Sequence, residues 1–99
     1  MSNIVLIGFM GTGKTSIGQR ISEKLQMPMV DTDTIVETDN QMIIGEIFDR
    51  YGEDYFRNLE NAAVHKASKY TNHIISTGGG VVLRIENLNL LQENGLLFC

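Results

Sequence analysis

The segment that most constrains the fold is IVLIGFMGTGKTSIGQR, residues 4–20. Residues 4–7 form a short, continuous apolar run, which is typical of a strand buried on both faces. A glycine-rich turn follows at once, and after it the apolar residues Ile17, Ile21 and Leu25 recur every four positions, as on one stripe of a helix. A strand, a glycine turn and a helix in this order indicate the beginning of a parallel α/β fold.

Three more short apolar runs predict three more strands: MPMVD, which ends at Asp31, HIIST, which precedes Gly78, and LLFC, which follows Gly95. Pro28 is expected to end the first helix, because the residue before a proline disfavours the helical region. Strands that alternate with helices argue for a parallel sheet with helices on both faces. We therefore expect a three-layer α/β fold, truncated after its fourth strand.

Three further helices are predicted between the strands. Thr34 and Glu37 have the spacing of a capping box, so a helix is expected to begin just after Thr34 and to continue through Phe48 as far as Gly52. A longer helix and a last helix follow, each with an apolar face. These faces comprise Phe56, Leu59, Ala63, Ala67 and Tyr70 on the longer helix, and Leu88, Leu91 and, by a weaker match, Ile85 on the last.

Length and composition indicate one domain, residues 1–99, with 42% hydrophobic residues and a modest core. The formal net charge is −4 and no basic run is present, so a nucleic-acid partner is not expected. The apolar run at residues 4–7 is far too short to cross a bilayer. The single cysteine, Cys99, cannot form an intramolecular disulfide, which fits a reducing, cytoplasmic setting.

Residues 8–15, GFMGTGKT, fit the pattern G-x-x-x-x-G-K-[ST] in full. Glycines allow backbone N–H groups to converge on phosphate oxygens, and the following helix presents its positive N-terminus to the same anion. Lys14 adds a charge for the β- and γ-phosphates, and the Thr15 hydroxyl is a ligand for Mg²⁺. A chance match is the alternative, but the preceding strand and the following helix are the context that the motif requires. We therefore predict a nucleotide-phosphate site at residues 8–16.

Two carboxylates, Asp31 and Asp33, lie at the end of the second predicted strand. In an extended chain, residues i and i+2 point to the same side, so both could face the crevice in which open α/β sheets bind ligands. A kinase needs one carboxylate near its metal and another that orients or deprotonates the acceptor hydroxyl. The alternative is that Asp33 merely complements the positive end of the next helix. The residues alone favour neither interpretation.

Arg57 and the glycines at residues 78–80 also allow two interpretations each. Arg57 is either a solvated arginine, paired at helical spacing with Glu53 or Glu60, or a fork for a substrate carboxylate. The triple glycine is either a flexible turn or a place where the backbone approaches a ligand closely.

Taken together, IVLIGFMGTGKTSIG, DTD, GEDYFRNLE and STGGGVV, in this order and at this spacing, resemble the shikimate kinase family. Many nucleotide-binding families share the P-loop, whereas the ordered combination is specific. The resemblance implies a P-loop NTP-binding fold and transfer of the ATP γ-phosphate to the 3-hydroxyl of shikimate, on the route to chorismate and the aromatic amino acids. It also implies ATP and shikimate as ligands, Mg²⁺ as cofactor, and a monomer for the complete domain.

The resemblance also implies roles for single residues. Lys14 and Asp33 would be catalytic, Asp33 as the general base, and Thr15 and Asp31 would serve Mg²⁺. The shikimate-binding region would be residues 31–80, with Asp33, Arg57 and Gly79 as contacts and Phe48, Phe56 and Glu60 around them. The ATP phosphates would be wrapped by Gly11, Thr12, Gly13, Lys14, Thr15 and Ser16.

The chain departs from the family in two respects. Family members commonly carry glycine where this chain has Gln41, so the helix break there is expected to differ locally. The family domain also continues for roughly seventy residues more, which supply a last strand, a lid with an arginine, a second substrate-binding arginine and an adenine-contacting loop. Because phosphoryl transfer depends on positioned cations and on closure, we expect this chain alone to have little activity.

Two other functions remain open. One is another small-molecule P-loop kinase, such as a gluconate-type kinase, although the DTD, FR and GGG elements favour shikimate. The other is a non-catalytic nucleotide-binding fragment, which the missing lid favours. His65 and His73 have no neighbouring ligands that would suggest zinc.

Overall fold

Four short strands and five α-helices alternate along the part of the chain that the computed structural model describes, residues 2–8 and 14–98, without the side chains of residues 14–17. In chain order they are β1 (Asn3–Ile7), α1 (Lys14–Leu25), β2 (Met29–Asp31), α2 (Thr32–Asn40), α3 (Ile44–Tyr51), α4 (Glu53–Ser68), β3 (Ile74–Thr77), α5 (Ile85–Glu93) and β4 (Gly95–Phe98). A 3₁₀ helix, Gly79–Leu83, follows β3.

The strands form one parallel sheet in the order β2-β3-β1-β4. Its register aligns an apolar row across all four strands: Val30, Ile75, Val5 and Leu97. Parallel strands need crossover connections, and helices supply each of them here. The predicted fold class, a parallel sheet between layers of helices, is therefore confirmed.

Side chains alternate between the two faces of the sheet because successive strand residues point in opposite directions. On one face Val5 and Ile75 pack against buried residues of α2, α3, α4 and α5. On the other face Leu6 and Ile74 pack with Met27, and Ile21 of α1 lies against them. The sheet thus has a large core on one side and a smaller one beneath α1.

Helix α1 does not bury the whole apolar stripe that the sequence predicts for it. Leu25 is exposed, so its place on the buried stripe was predicted wrongly, and the side chain of Ile17 lies outside the described residues. Gly18 is buried instead: a Cβ there would lie 2.9 Å from Met29 Cε and 3.4 Å from Leu6 Cδ1. The missing side chain lets the helix approach the sheet closely. The helix ends three residues before Pro28, as predicted.

The helix predicted from Thr34 to Gly52 is wrong at its start and in its middle. It begins at Thr32, because the Asp31 side chain accepts a hydrogen bond of 2.8 Å from Asp33 N and caps it. It ends at Asn40, where Gln41 adopts a left-handed conformation with φ of 53°. Glu37 does not complete a capping box with Thr34; its Oε2 accepts from Ile44 N at 2.9 Å and links α2 to α3.

The later elements follow the predicted pattern more closely. Phe56, Ala63 and Ala67 of α4 are buried, and Leu59 and Tyr70 pack against the same core, although Tyr70 lies beyond the helix end. Leu91 of α5 is buried and Leu88 packs beside it, whereas Ile85 is exposed. In β4, Leu97 packs on the core while Leu96 and Phe98 are exposed on the α1 side. Among the described residues, no helix has the length and apolarity needed to cross a bilayer.

Candidate active site at the carboxyl edge of the sheet

Three strands end level with one another at the edge where parallel α/β sheets bind ligands. Ile7 of β1 is paired with Thr77 of β3, and Asp31 of β2 is paired with Ser76. Each strand is followed directly by a segment that the sequence analysis singled out: Gly8 and the P-loop, the Asp31–Asp33 pair, and the three glycines. The sheet therefore brings together segments that are up to 70 residues apart in sequence.

A cavity of about 510 Å³ lies beside this edge, between the start of α2, helices α3 and α4, and the glycine segment after β3. Its wall combines carboxylates, one guanidinium, aromatic rings and glycine backbone. The lining residues are Asp33, Ile44, Phe48, Phe56, Arg57, Glu60, Gly78, Gly79, Gly80 and Leu83. This volume and mixed lining suit a small polar molecule that carries a negative charge.

Asp31 and Asp33 do not share one face of a strand, so that part of the prediction is wrong. Asp31 is extended, but Asp33 already lies in the first turn of α2. Asp31 caps the helix through its carboxylate, and Asp33 lines the cavity. Both interpretations of Asp33 describe its position, since it lies at a helix N-terminus and at the cavity wall.

Arg57 projects from α4 into the cavity wall, and its side chain is only 19% exposed. Its Nη1 donates to both carboxylate oxygens of Glu60, at 3.1 and 3.3 Å, and its Nη2 donates to Glu53 at 3.2 Å. The guanidinium also lies 5.2 Å from the centre of the Phe56 ring. The predicted pairing with glutamates is present, but on a largely buried arginine rather than a solvated one.

The Arg57 guanidinium keeps hydrogen-bonding capacity that its glutamate partners do not use. Its Nε is buried and has no hydrogen-bond partner among the described residues. A guanidinium carries five N–H donors in a fixed planar fork. A buried donor without a partner costs free energy, so the described contacts do not fully satisfy the Arg57 side chain.

Glu60 is the most buried charged group of the site, with 3% of its side chain exposed. Burial raises the pKa of its carboxyl above the ordinary value, although the hydrogen bond and charge of Arg57 act in the opposite direction. Asp33 adds a smaller repulsion that also favours the protonated form of Glu60. Arg57 therefore opposes the effect of burial on Glu60 and favours the charged form of that carboxyl.

A buried asparagine that the sequence analysis did not single out anchors the segment after the glycines. Asn87 Nδ2 donates to Val81 O at 3.1 Å, and Asn87 Oδ1 accepts from Asn61 Nδ2 at 2.8 Å. These bonds fix the 3₁₀ helix to α4 and α5. The signal was present in the sequence, because Asn87 lies four residues before Leu91 and so occupies a position on the apolar stripe.

Most of the predicted phosphate site lies outside the described residues. Gly11, Thr12 and Gly13 are not described, nor are the side chains of Lys14, Thr15 and Ser16. The backbone of α1 begins at Lys14, so a helix N-terminus follows the glycine segment as predicted. Asp31 and Asp33 supply the oxygen ligands that Mg²⁺ prefers, but no cluster of three potential metal ligands occurs among the described residues. The roles predicted for all these residues stay predictions.

A P-loop motif between β1 and α1, at the carboxyl edge of a parallel sheet and beside a cavity with one buried guanidinium, defines a P-loop α/β protein of the small-molecule kinase type. A family model described as shikimate kinase matches residues 10–98. The chain belongs to the shikimate kinase family.

Relatives and solved structures agree with this assignment. Over 97 residues the chain is 53% identical to the shikimate kinase of Caldanaerobacter subterraneus. The aligned residues are 98% of this chain and 57% of that protein. The shikimate kinase of Acinetobacter baumannii in complex with shikimate superposes with a TM-score of 0.92 at 31% identity, over 98% of this chain and 54% of that one. The shikimate kinase of Aquifex aeolicus superposes with a TM-score of 0.87 at 39% identity, and the match covers 96% of this chain and 60% of that one. The chain thus spans somewhat more than half the length of these proteins.

Proposed function

We propose that this chain forms the phosphate-binding part and much of the acceptor site of a shikimate kinase. In that reaction the γ-phosphate of ATP is transferred to the 3-hydroxyl of shikimate, in the cytoplasm. The observation that carries the proposal is the cavity in which Arg57, Asp33 and Gly79 lie together. A cation, a carboxylate and an exposed backbone suit an acceptor that has one carboxylate and several hydroxyls.

Arg57 would bind the shikimate carboxylate. Its fork matches a carboxylate in bidentate fashion, and its place in the cavity wall supports a role in binding. Glu53 and Glu60 hold the guanidinium in place before any ligand arrives, which lowers the entropy cost of binding.

Asp33 would orient the acceptor hydroxyl and accept its proton. Its place at the cavity wall, in the first turn of α2, supports this role. Gly79 would contact the acceptor through its backbone, since it lines the same cavity. The pairing of Ile7 with Thr77 puts the segments that follow β1 and β3 at the same edge of the sheet.

The segment from Gly11 to Ser16 would bind the phosphates of ATP, with the N-terminus of α1 beneath them. Thr15 and Asp31 would hold Mg²⁺, Asp31 from its place at the end of β2. When bound, Mg²⁺ would neutralise phosphate charge and orient the β- and γ-phosphates. Lys14 would add a cation at the same phosphates.

Calorimetry and a coupled assay for ADP release test the proposal on the 99-residue chain. We expect saturable binding of MgATP, and of shikimate with a Kd on the order of millimolar, since only part of the acceptor site is present. We expect turnover far below that of a complete relative, because one missing arginine at the phosphoryl group can cost about 10³–10⁵ in rate. Binding of ATP with no binding of shikimate would favour a nucleotide-binding fragment, and preferential binding of gluconate would favour the other kinase type.

A further inference from the structure

Gly80 faces the guanidinium of Arg57 at a distance that leaves no room for a side chain. A Cβ built on Gly80 would lie 2.8 Å from Arg57 Cζ and 2.9 Å from Nη2, and nearer still to Nη1. Cβ atoms essentially never approach other heavy atoms so closely. The space that a methyl group would fill is occupied by the cation of the acceptor site.

The backbone of Gly80 does not itself require glycine. Gly52 is the only described glycine with a positive φ, so an alanine at position 80 would carry no backbone strain. The nearest atoms to the added Cβ all belong to the far end of one flexible side chain, that of Arg57. A methyl group would therefore move the guanidinium and leave the backbone in place.

The three glycines are not equivalent in this respect. A Cβ on Gly78 would meet Asp33 Oδ2 at 3.7 Å, which is an ordinary van der Waals contact. Position 80 differs because α4 and the segment after β3 approach each other there. The steric constraint at Gly80 is thus specific to the arginine.

We propose that Gly80 is a positioning residue, which holds open the space where the Arg57 guanidinium binds the carboxylate of the acceptor. A side chain at this position displaces the cation from the cavity wall and separates it from Glu60 and Glu53. The identity of the acceptor as shikimate rests on the proposed function, whereas the steric link between Gly80 and Arg57 does not.

Binding measurements test the functional half of this inference. In Gly80→Ala we expect the affinity for shikimate to fall at least about tenfold, the loss typical of a hydrogen bond to a charged group. The affinity for the methyl ester of shikimate should be similar in both proteins, because the ester lacks the charge that Arg57 would bind. Gly45→Ala is the matched control, because Gly45 lies in α3 with nothing within 4 Å of an added Cβ. This variant should bind shikimate as tightly as the unaltered chain does. Equal affinity of Gly80→Ala and the unaltered chain for shikimate would overturn the inference.

A double-mutant cycle of unfolding free energies tests the steric link between Gly80 and Arg57 without any ligand. Urea unfolding of the chain, Gly80→Ala, Arg57→Ala and the double variant should show that the alanine at position 80 lowers the folding equilibrium constant when Arg57 is present. With Arg57 removed, the space is vacant and the effect should shrink about fivefold or more. The four proteins are compared at pH 5, where loss of the Arg57 partner of Glu60 is expected to cost least, and equal effects in the two backgrounds would refute the link. If the unaltered chain binds no shikimate, the proposed function fails for this chain, and the cycle still decides whether Gly80 positions Arg57.

Discussion

The buried contact between Arg57 and Glu60 leads to a prediction about pH and stability. In Arg57→Met an aliphatic side chain remains at position 57, but Glu60 loses the partner that bonds both of its oxygens. Only 3% of the Glu60 side chain is exposed, so water is a poor replacement for the guanidinium. We expect the variant to be clearly less stable at pH 8 and much closer to the unaltered chain at pH 5.

The size of the effect follows from the burial of the pair. Removing one partner of a buried ion pair typically costs 3–5 kcal/mol, and the partial exposure of Arg57 puts the expected cost at about 3 kcal/mol at pH 8. A carboxyl whose pKa is raised by folding contributes stability below its unfolded-state pKa, and loses that contribution as pH rises through the folded-state pKa. Burial already raises the pKa of Glu60, and loss of Arg57 removes the main opposing influence. The deficit should therefore shrink as the pH falls, and once the Glu60 carboxyl is protonated the remaining cost is about 1 kcal/mol.

Urea unfolding followed by circular dichroism measures this difference. With a slope of about 1–1.5 kcal/mol per molar urea, the midpoint should fall by roughly 2–3 M at pH 8 and by less than about 1 M at pH 5. A variant that is unfolded at pH 8 and folded at pH 5 is the extreme form of the same result.

Two controls separate the buried contact from general effects. In the Arg57→Met background, Glu60→Gln removes the titrating group and should abolish the pH dependence of the deficit. Arg50→Met breaks an exposed pair with Glu46 and should cost about 0.5 kcal/mol or less at either pH. A deficit of equal size at pH 5 and pH 8, or one that keeps its pH dependence after Glu60→Gln, would refute the reasoning.

Three further substitutions have expected outcomes in the same unfolding assay. Gln41→Gly should stabilise the chain by about 0.5–1 kcal/mol, because Gln41 has a left-handed φ of 53° that costs any side chain energy; no gain would contradict this. Asp31→Ala should lower the free energy of unfolding by about 1 kcal/mol, because it removes the cap on α2. Asp31→Asn should retain most of the stability of the unaltered chain, since asparagine also caps helices. Asn87→Ala should cost about 1–3 kcal/mol and, because Val81 O loses its donor, raise hydrogen exchange between Gly79 and Leu83; unchanged exchange would argue against that anchor.

The strands could be predicted well from the sequence because each is a short apolar run with a glycine or proline near its end. The region between residues 32 and 52 could not, because two local signals were misleading there. Thr34 and Glu37 have capping-box spacing, yet Asp31 caps the helix and Glu37 bonds to Ile44. The residues alone do not announce the break at Gln41, which only the resemblance to the family indicated; in the structure Gln41 adopts a left-handed conformation.

Only part of the candidate site, likewise, could be predicted from the sequence. Residue types and spacing were enough to predict the P-loop, whereas Asp33 and Arg57 each allowed two interpretations until the resemblance to the shikimate kinase family gave them roles. Whether Arg57 is a solvated or a buried cation could not be read from α4 alone. Its burial depends on Gly80, 23 positions later in the sequence, and on the burial of Glu60.

The sequence by itself therefore determined the class of fold, the positions of the strands and the family to which the chain belongs. These follow from local patterns: apolar period, glycine turns and ordered motifs. The tertiary structure alone decided that Asp33 lies on a helix, that Arg57 is enclosed, and that Gly80 leaves the space for it. The physical reason is that burial and steric exclusion arise between segments distant in sequence, which meet only when the parallel strands bring their carboxyl ends to one edge.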